Sequence, residues 1–387
     1  MKALFVHDHL FYRSDNRVYS DKLPYSIWQR YLNHFDSITI FSRYSNETID
    51  ISKQPLSSGE NVFFEFAPNI SCLRAMFGKK KEQKKRLEKL ILKHDVVIAR
   101  LPSEYGLMAV ELANKFNKKL VVEVVGCAWD ALWNYGSLKA KIYAPILTYQ
   151  MKKAVKNTDF ISYVSQEFLQ SRYSPPKRAI IVSVSNVEIP FLNEDILKKR
   201  LEKIELKNEK IVFGLIGSFK TKYKGIHNAI PVLGKLSNKY PNLEFRILGS
   251  GNPDEYIEMA KQYNIEDKVF FDGVLPSGEA VFKWLDNIDI YIHPSYTEGV
   301  PRALIESMSR GCPAIASTAG GIPELLDKNL TFNSGDENNF YEILEKNIFS
   351  VEWRIEQAKK NFEKSKEYQK NILDKRRFDF FEKVKNN

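Results

Sequence analysis

The sequence predicts an α/β protein made of two doubly wound, Rossmann-like domains. Short apolar runs alternate with longer stretches of helical period in both halves of the chain. Runs that are apolar nearly throughout are typical of parallel strands that are covered by helices on both faces. The length of 387 residues fits two domains of roughly 150 residues each. A charged stretch containing a proline separates the two series of strands.

Ten apolar runs are predicted as strands, five in each half. In the first half they are ALFVH, SITIFS, DVVIAR, KLVVEVVG and DFISYVS, and in the second half IVFGLIGS, LEFRILGSG, KVFFDGV, DIYIHPS and CPAIAS. Between them, helices are predicted at residues 25–35, 106–116, 226–239 and 254–263. Strands that alternate with helices in this way indicate βαβ units and parallel sheets.

The domain boundaries are predicted from the middle of the chain and from its end. We place the link at residues 187–192, which gives domains at 1–187 and 188–351. Residues 352–387 form a polar helical pattern with apolar anchors, among them Phe362 and Phe381. No predicted strand follows it, and we expect this tail to pack back on the first domain.

The composition limits the partners and the compartment. The formal net charge of +10 and the pI of about 9.1 favour anionic partners. No nucleic-acid-binding motif accompanies this charge, so no nucleic-acid partner is predicted. No run approaches about 18 apolar residues, and the start of the chain does not resemble a secretory signal. The three cysteines, Cys72, Cys127 and Cys312, are scattered, which indicates a reducing compartment. We therefore expect a cytoplasmic protein.

Two lysine-rich helical stretches suggest an additional location at a membrane surface. The first, residues 78–93, carries Leu87, Leu90 and Ile91 on one face, and residues 137–156 have a similar character. A solvated helix face is the simpler interpretation. The alternative is a basic amphipathic helix that rests on an anionic membrane surface, at the inner face of the cell membrane.

The chemistry-bearing residues are expected after the strands of the second domain, because ligands of open α/β sheets bind at the carboxyl ends of the strands. After DIYIH, a helix is predicted from Pro301 to Arg310, with Gly311 as its cap. Its N-terminus would attract phosphate. Glu298 precedes this helix, and Glu306 lies within it, where a carboxylate can accept hydrogen bonds from a ribose diol. Two surface charges near a helix start would be the structural alternative.

Three further strand ends repeat the pattern of glycines. The first strand of the second half ends at Gly217 and is followed by Lys220, Lys222 and Lys224. Lysines beside such a turn would neutralise a diphosphate, although a basic surface loop would look the same. The next two strand ends read LGSGN, with Gly249 and Gly251, and FDGVLP.

In this order, the motifs resemble the family 4 retaining glycosyltransferases of the GT-B fold. The resemblance covers residues 211 to about 326 and rests on YKG, LGSG, PSYTEGVP, the second glutamate of an E-x7-E pair and GGIPE. It implies two Rossmann-like domains that face a central cleft. It also implies that Glu306 holds the donor ribose, that Glu298 and the following backbone contact the donor sugar and phosphate, and that Lys224 holds the diphosphate.

The remaining site residues follow from the same resemblance. The proposed catalytic residues are Glu298, Lys224 and Arg100. The proposed donor-binding residues are Glu306, Gly217, Ser218, Lys220, Gly249, Gly251, Val274, Leu275, Gly299, Val300, Pro301 and Arg302. Val274 and Leu275 would lie near the nucleobase. Ser218 stands where the family often has arginine, so that Lys220 or Lys222 would supply the second cation.

The first half departs further from the family pattern. Relatives often have glycines where this chain has Ser20, Asp21 and Lys22, and a histidine where it has Arg100. Arginine cannot act as a base near pH 7, but it can clamp a phosphate or a sugar hydroxyl. The candidates on the acceptor side are His7, His9, Tyr19, Asp21, Glu123 and Asp130. His7 and His9 share a strand face and could suggest a metal, but no third ligand has matching spacing, and no metal site is predicted.

The resemblance implies transfer of a sugar, with retained anomeric configuration, from a nucleotide diphosphate-sugar to a saccharide acceptor in bacterial polysaccharide or glycan assembly. We expect no cofactor beyond this donor substrate, and an acceptor that is a saccharide or is linked to polyprenyl diphosphate. One alternative is a nucleotide-sugar epimerase on the same fold. The other is a non-catalytic protein that binds nucleotide sugars.

Overall fold

The computed structural model describes residues 1–20, 22–45, 54–70, 79–206 and 210–387. By its internal contacts the chain divides into two compact units. The first comprises residues 1–129, 142–184 and 374–387, and the second comprises residues 130–141 and 185–373. This division differs from the predicted boundaries in three places. The boundary between the two units lies after residue 184 and not after residue 187. Residues 130–141 group with the second unit, and the tail is shared, because only its last residues, from Asp374 on, group with the first unit.

The first unit is built on a mostly parallel sheet. Its strands are β1 (Lys2–Ser14), β2 (Arg17–Tyr19), β3 (Ser37–Ser45), β4 (Val62–Ala67), β5 (Val96–Leu101), β6 (Lys119–Val124), β7 (Phe160–Tyr163) and β8 (Ile180–Ser183). They follow the order β4-β3-β1-β5-β6-β7-β8, and β2 pairs with β1 antiparallel. The strand order reverses between β1 and β5, which is the switch point of a doubly wound sheet.

The second unit holds a parallel sheet of six strands. They are β9 (Ile211–Ile216), β10 (Leu243–Leu248), β11 (Val269–Gly273), β12 (Ile290–His293), β13 (Ala314–Ser317) and β14 (Thr331–Phe332). Their order, β11-β10-β9-β12-β13-β14, is that of a dinucleotide-binding sheet, with its switch point between β9 and β12. The predicted class of two doubly wound α/β sheets is confirmed.

Helices connect the strands of both sheets. They are α1 (Tyr25–Leu32), α2 (Lys79–Lys93), α3 (Glu104–Lys115), α4 (Ala128–Trp133), α5 (Leu138–Lys156), α6 (Phe168–Arg172), α7 (Glu194–Glu205), α8 (Ile226–Lys239), α9 (Asp254–Gln262), α10 (Glu279–Asn287), α11 (Arg302–Ser309), α12 (Glu337–Asn347), α13 (Val351–Lys366) and α14 (Lys370–Asn386). None of the helices in the described ranges combines the length and the apolar character that crossing a membrane requires.

Four strands were not predicted, namely β2, β4, β8 and β14. The strands β2 and β14 have three and two residues, too few for a periodic pattern. The strands β4 and β8 lie at the two ends of the sheet order and are only partly buried. Their sequences, VFFEFA and IIVS, do contain apolar runs, so the signal for both strands was present in the sequence and was missed. The first strand is also longer than predicted, because a tight turn at Asp15 and Asn16, with φ of 45° and 62°, folds β2 back on β1.

The core of each unit is apolar and aromatic. In the first unit, Phe5 meets Trp28 edge to face at 5.2 Å between ring centroids. The tail joins this core through Phe381, whose ring lies 5.6 Å from that of Tyr31. In the second unit, nine residues of α8 are buried, and several of them belong to one apolar cluster with residues of the strands. These cores hold the sheets rigid and fix the positions of the loops at the strand ends.

Candidate functional site

The loops after β9 and β10 meet at the carboxyl edge of the second sheet. The Gly217 N–H donates to the Leu248 carbonyl oxygen at 2.9 Å, and the Gly249 N–H donates to the Gly273 carbonyl oxygen at 2.7 Å. A Cβ atom on Gly249 would overlap the Gly217 carbonyl oxygen. Glycine is therefore required where these two loops pass each other, and the predicted glycines do lie together beside the switch point.

Glu298 is the centre of a buried polar network after β12. Its Oε1 accepts hydrogen bonds from Lys224 Nζ at 2.6 Å, from Ser295 Oγ at 2.7 Å and from His293 Nε2 at 2.8 Å. The side chains of Lys224, Glu298 and His293 are 20%, 10% and 2% exposed. The structure thus brings together Lys224 and Glu298, which are 74 positions apart, and adds His293 and Ser295, which the sequence analysis did not select.

The network fixes the ionisation of Glu298. Burial alone would raise the pKa of this carboxyl, but the charge of Lys224 and the hydrogen bond from His293 outweigh burial and hold the pKa well below its usual range. Burial lowers the pKa of His293, against the opposing influence of Glu298. At neutral pH the site therefore combines a carboxylate, an ammonium group and a neutral imidazole.

The tautomer of His293 follows from its two partners. Its Nδ1 lies 3.3 Å from the Tyr291 hydroxyl oxygen, which itself accepts a hydrogen bond from the Ile216 N–H at 3.3 Å. Because that oxygen can then donate its own hydrogen to Nδ1, the neutral ring carries its proton on Nε2 and donates it to Glu298. Tyr291 and His293 thereby connect the ends of β9 and β12.

The loop that carries Glu298 is held from several sides. The Ser295 carbonyl oxygen accepts hydrogen bonds from Ser317 Oγ at 2.5 Å and from Ser334 Oγ at 2.9 Å. The Tyr296 carbonyl oxygen accepts a hydrogen bond from Asn134 Nδ2 at 2.9 Å. Asn134 belongs to the segment 130–141, far away in the sequence, and nothing in the linear pattern indicated its contact with this loop.

The helix after Glu298 begins one residue later than predicted. Pro301 is the N-cap residue of α11, with ψ of 111°, and Arg302 is its first helical residue. Pro301 therefore lies before the first turn and not within it. Gly299 and Val300 join Glu298 to this N-terminus, whose first N–H groups have no partner within the helix. The helix ends at Ser309, and Gly311 follows its cap with φ of 61°.

Glu306 projects from α11 in a different environment. Burial raises the pKa of this carboxyl, and the charge of Arg302 only partly opposes that effect. Within the described parts of the chain, no side chain donates a hydrogen bond to the Glu306 carboxylate. A half-buried carboxylate that protein donors leave free is suited to accept hydrogen bonds from a ligand diol.

The three lysines after Gly217 have different positions. Lys222 forms an exposed ion pair with Glu255 of α9 at 2.5 Å, whereas Lys224 is bound to Glu298. Lys220 is exposed, and its Cγ lies close to Gly251. Ser218 Oγ donates to the Ser250 carbonyl oxygen at 3.1 Å. The choice between Lys220 and Lys222 as the second cation stays a prediction.

The candidate nucleobase contacts lie in the loop after β11. Val274 is 69% exposed, and Leu275 is half-buried. An exposed apolar residue at a sheet's carboxyl edge offers a surface on which a planar base could pack. This assignment stays a prediction.

In the first unit, His7 and His9 lie on one face of β1. Their rings are 6.4 Å apart and nearly parallel. The Nε2 atom of His9 lies 2.7 Å from Ser20 Oγ, which also accepts hydrogen bonds from the N–H groups of Lys22 and Leu23. Burial lowers the pKa of His7 well below its usual value, and the charge of Arg100 adds to this effect. Ser20 thus binds both His9 and the N–H groups of Lys22 and Leu23. Asp21 lies outside the described residues.

Arg100 and Glu123 lie opposite each other on the neighbouring strands β5 and β6. Arg100 Nη1 lies 3.7 Å from Glu123 Oε2, and the Tyr31 hydroxyl donates to Glu123 Oε1 at 2.7 Å. The structure therefore brings these two candidates together at the end of the sheet. Asp130 is in the first turn of α4 and belongs to the second unit, and Tyr19 ends β2 beside Tyr12.

Asp8, which lies between the two histidines, has a structural role. Its carboxylate oxygens accept hydrogen bonds from the N–H groups of Glu104 at 2.6 Å and Tyr105 at 3.2 Å, at the start of α3. Asp8 therefore serves the start of α3, where helix N–H groups need acceptors. Throughout the described ranges, no three His, Cys, Asp or Glu side chains are grouped as in a metal site.

Comparison with known proteins identifies the family. Residues 198–372 match the family model described as glycosyl transferases group 1. Protein CapJ of Staphylococcus aureus is 35% identical over 362 residues, which cover 93% of this chain and 90% of CapJ. The chain belongs to the group 1 glycosyltransferases. A part of WcaL, the putative colanic acid biosynthesis glycosyltransferase of Escherichia coli K12, is 37% identical over 114 residues, 28% of each chain.

Solved structures share the fold of this group 1 member, among them WaaG, a glycosyltransferase involved in lipopolysaccharide biosynthesis, with a TM-score of 0.64, 12% identity and complete coverage of both chains. Anabaena HepE in complex with UDP has a TM-score of 0.67 and 14% identity, with complete coverage of both chains. The fold is therefore GT-B, as predicted. At this identity the likeness supports the fold alone. The roles of individual residues in this glycosyltransferase stay predictions.

Gly320 and Gly321 support the loop that carries Glu298 in this glycosyltransferase, and one substitution tests that support. Gly320 has φ of 60°, and a Cβ atom there would overlap the Glu298 carbonyl oxygen, while the Gly321 N–H donates to the Gly299 carbonyl oxygen at 2.7 Å. Gly320→Ala is expected to lower the free energy of unfolding by more than about 2 kcal/mol and to displace Glu298.

Gly273→Ala is the matched control for this substitution. Gly273 also has a positive φ, of 72°, but open space surrounds its added Cβ. It should therefore cost only the left-handed backbone strain, about 1 kcal/mol. Both values are measured by urea unfolding. Equal losses for the two variants would show that the approach of Gly320 to Glu298 is not essential.

Proposed function

We propose that this glycosyltransferase transfers a sugar from a nucleoside diphosphate-sugar to a saccharide acceptor, with retention of anomeric configuration, during assembly of a bacterial surface polysaccharide. The observation that carries the proposal is the contrast between two carboxylates of the same sheet edge. Glu298 is ionised and bound to Lys224, whereas Glu306 is half-buried and has no side-chain donor among the described residues. Lys224 could bind the diphosphate of such a ligand, and the Glu306 carboxylate could accept hydrogen bonds from its diol.

The catalytic role of the site would be electrostatic. When the bond between the sugar and the diphosphate breaks, negative charge develops on the leaving phosphate. Lys224 and the N-terminal N–H groups of α11 would stabilise that charge. Glu298 holds the ammonium group of Lys224 in place, and His293 and Ser295 hold Glu298. The proposal assigns no covalent intermediate to a protein side chain.

The polysaccharide and the donor are proposed from relatives. WcaL is named for colanic acid biosynthesis, and AmsK of Erwinia amylovora is named for amylovoran biosynthesis. HepE has been solved in complex with UDP-glucose, which makes UDP-sugars the first donors to test. We further propose an acceptor linked to polyprenyl diphosphate, and a cytoplasmic location beside the inner face of the membrane.

The decisive experiment is incubation with a panel of nucleotide sugars, with and without saccharide and lipid-linked acceptors. Release of nucleoside diphosphate that requires an acceptor, together with an α-linked product from an α-linked donor by NMR, supports the proposal. Conversion of the donor to an isomer without an acceptor would indicate the epimerase. Binding without turnover for every acceptor would favour the binding protein. The same assay in EDTA tests the expectation that no metal is needed.

Arg100 offers a separate test of the acceptor side. Arg100→Ala removes a guanidinium that is 12% exposed and pairs with Glu123. We expect transfer to fall about tenfold or more, with the affinity for the donor unchanged, because a charged hydrogen bond contributes about 1.5–3 kcal/mol. Arg178→Ala, which removes an exposed partner of Asp159, is the control. Loss of donor binding in Arg100→Ala would contradict an acceptor-side role.

A further inference from the structure

Helix α5 presents an apolar stripe to solvent. Ile142, Ile146 and Tyr149 follow each other at intervals of four and three residues and are 65%, 49% and 68% exposed. Leu138, one turn earlier on the same helix, is 75% exposed. Residues at these intervals lie on one face of a helix. Isolated exposed apolar residues are common, but four of them in one row mark an interaction surface.

This stripe is additional to the face with which α5 packs. Ala144, Leu147, Met151 and Val155 are buried on the opposite side of the helix. The helix is thus fixed to the protein by one apolar face and carries a second one outward. A rotation that buried the outer stripe would expose the inner one, so the exposed residues cannot simply turn inward.

The charged residues of α5 itself are all lysines. Over its 19 residues α5 has five lysines and no acidic residue. Lys152, Lys153 and Lys156 continue the outward face beyond Tyr149 and are exposed. Lys153 also lines a cavity of about 280 Å³, together with Lys80 and Lys84 of α2 and with Glu104 and Glu111 of α3. The basic end of the stripe is therefore formed by the lysines of α5 itself.

The helix α2, the first of the two lysine-rich stretches, is less suited to contact a membrane. Its Leu87 and Ile91 are buried in the first unit, so the apolar face that the sequence suggested is already covered. Lys80 and Lys84 pair with Glu104 and Glu111 at 3.3 Å and 2.6 Å. The combination that an interfacial helix needs, exposed apolar residues beside exposed lysines, is found on α5.

We infer that the outward face of α5 is a docking surface for an anionic lipid bilayer, with Ile142, Ile146 and Tyr149 entering the interface and Lys152, Lys153 and Lys156 contacting acidic headgroups. Charge complementarity favours an anionic bilayer over a second copy of this chain as the binding partner. A symmetric contact through α5 would bring its lysines against one another, whereas acidic headgroups neutralise them. The inference goes beyond the proposed sugar transfer and does not depend on it.

The test is sedimentation of the full chain with vesicles, without donor or acceptor, so that failure of docking and failure of transfer are separate results. Vesicles of phosphatidylcholine with about one third phosphatidylglycerol should pellet the protein, and pure phosphatidylcholine much less. The triple variant Ile142→Ser/Ile146→Ser/Tyr149→Ser should lose at least tenfold in apparent affinity. Its control is Phe63→Ser/Ile181→Ser/Phe191→Ser, which removes three exposed apolar residues elsewhere and should bind normally.

A second variant keeps the test valid if the first one misfolds. Lys152→Gln/Lys153→Gln/Lys156→Gln leaves the apolar stripe intact and should weaken binding and its dependence on salt. Unchanged pelleting of both α5 variants, with normal thermal unfolding, would overturn the inference. So would a dimer of the original chain in light scattering that the Ile142, Ile146 and Tyr149 substitutions dissociate, since that result would assign the stripe to a second copy.

Discussion

Replacement of Lys224 by alanine is expected to reduce sugar transfer at least about 100-fold and to destabilise the second unit. The ammonium group is the one side-chain cation that contacts Glu298 in the described network, and removal of one preorganised charge at a developing anion costs about 10²–10³ in rate. Glu298 would then be a buried carboxylate without a counter-charge. Breaking a buried pair from one side costs about 3–5 kcal/mol. Activity and urea unfolding should both be measured.

Two further variants separate these effects. Lys222→Ala removes a lysine two positions away whose pair with Glu255 is exposed, so both activity and stability should stay nearly unchanged, within about 1 kcal/mol. The double variant Lys224→Ala/Glu298→Gln should recover most of the lost stability, because no unpaired charge remains buried, but not the activity. If Lys224→Ala keeps near-normal transfer, or if Lys222→Ala is equally damaging, the assignment of Lys224 to the diphosphate is wrong.

Glu306→Gln is expected to have opposite effects on donor binding and on stability. The amide keeps the shape of the side chain but replaces a charged acceptor, and it should weaken donor binding by at least about tenfold, since hydrogen bonds to a charged group contribute about 1.5–3 kcal/mol. In the absence of donor, the variant should be at least as stable as the original chain near pH 7.5. Isothermal titration with the active nucleotide sugar and thermal unfolding measure the two quantities.

The difference in stability between Glu306→Gln and the original chain should depend on pH, because it follows from the pKa of Glu306. Burial raises that pKa in the folded state, so the folded chain binds this proton more tightly than the unfolded chain. The free energy of unfolding therefore decreases as the pH rises from the unfolded-state pKa through the folded-state pKa. At neutral pH the ionised Glu306 carboxyl lowers the stability of the folded chain. The advantage of Glu306→Gln should therefore grow between pH 5 and pH 7.5. A variant that is less stable at pH 7.5 than at pH 5, relative to the original chain, would contradict this explanation.

The sequence determined where the strands of the second half end and which residue types follow them. Central parallel strands are apolar nearly throughout, so β9 to β13 could be predicted from composition alone, and glycines and charges stand out immediately after them. Because parallel strands share one carboxyl edge, Gly217, Gly249 and Glu298 could be predicted to approach one another. The edge strands β4 and β8 were missed although VFFEFA and IIVS are apolar runs, whereas β2 and β14 are too short to show any pattern.

Only the tertiary structure decided which of these residues act together. The sequence offers three lysines after β9, and nothing in their spacing tells that Lys224 binds Glu298 while Lys222 faces Glu255. His293, Ser295 and Asn134 were not predicted, because their roles depend on hydrogen bonds between loops that are distant in the chain. The sequence places Glu298 before the helix and Glu306 within it, but it does not show how their ionisation differs. Their pKa values move in opposite directions because the folded chain binds Glu298 to Lys224 and His293, whereas at Glu306 burial outweighs the charge of Arg302.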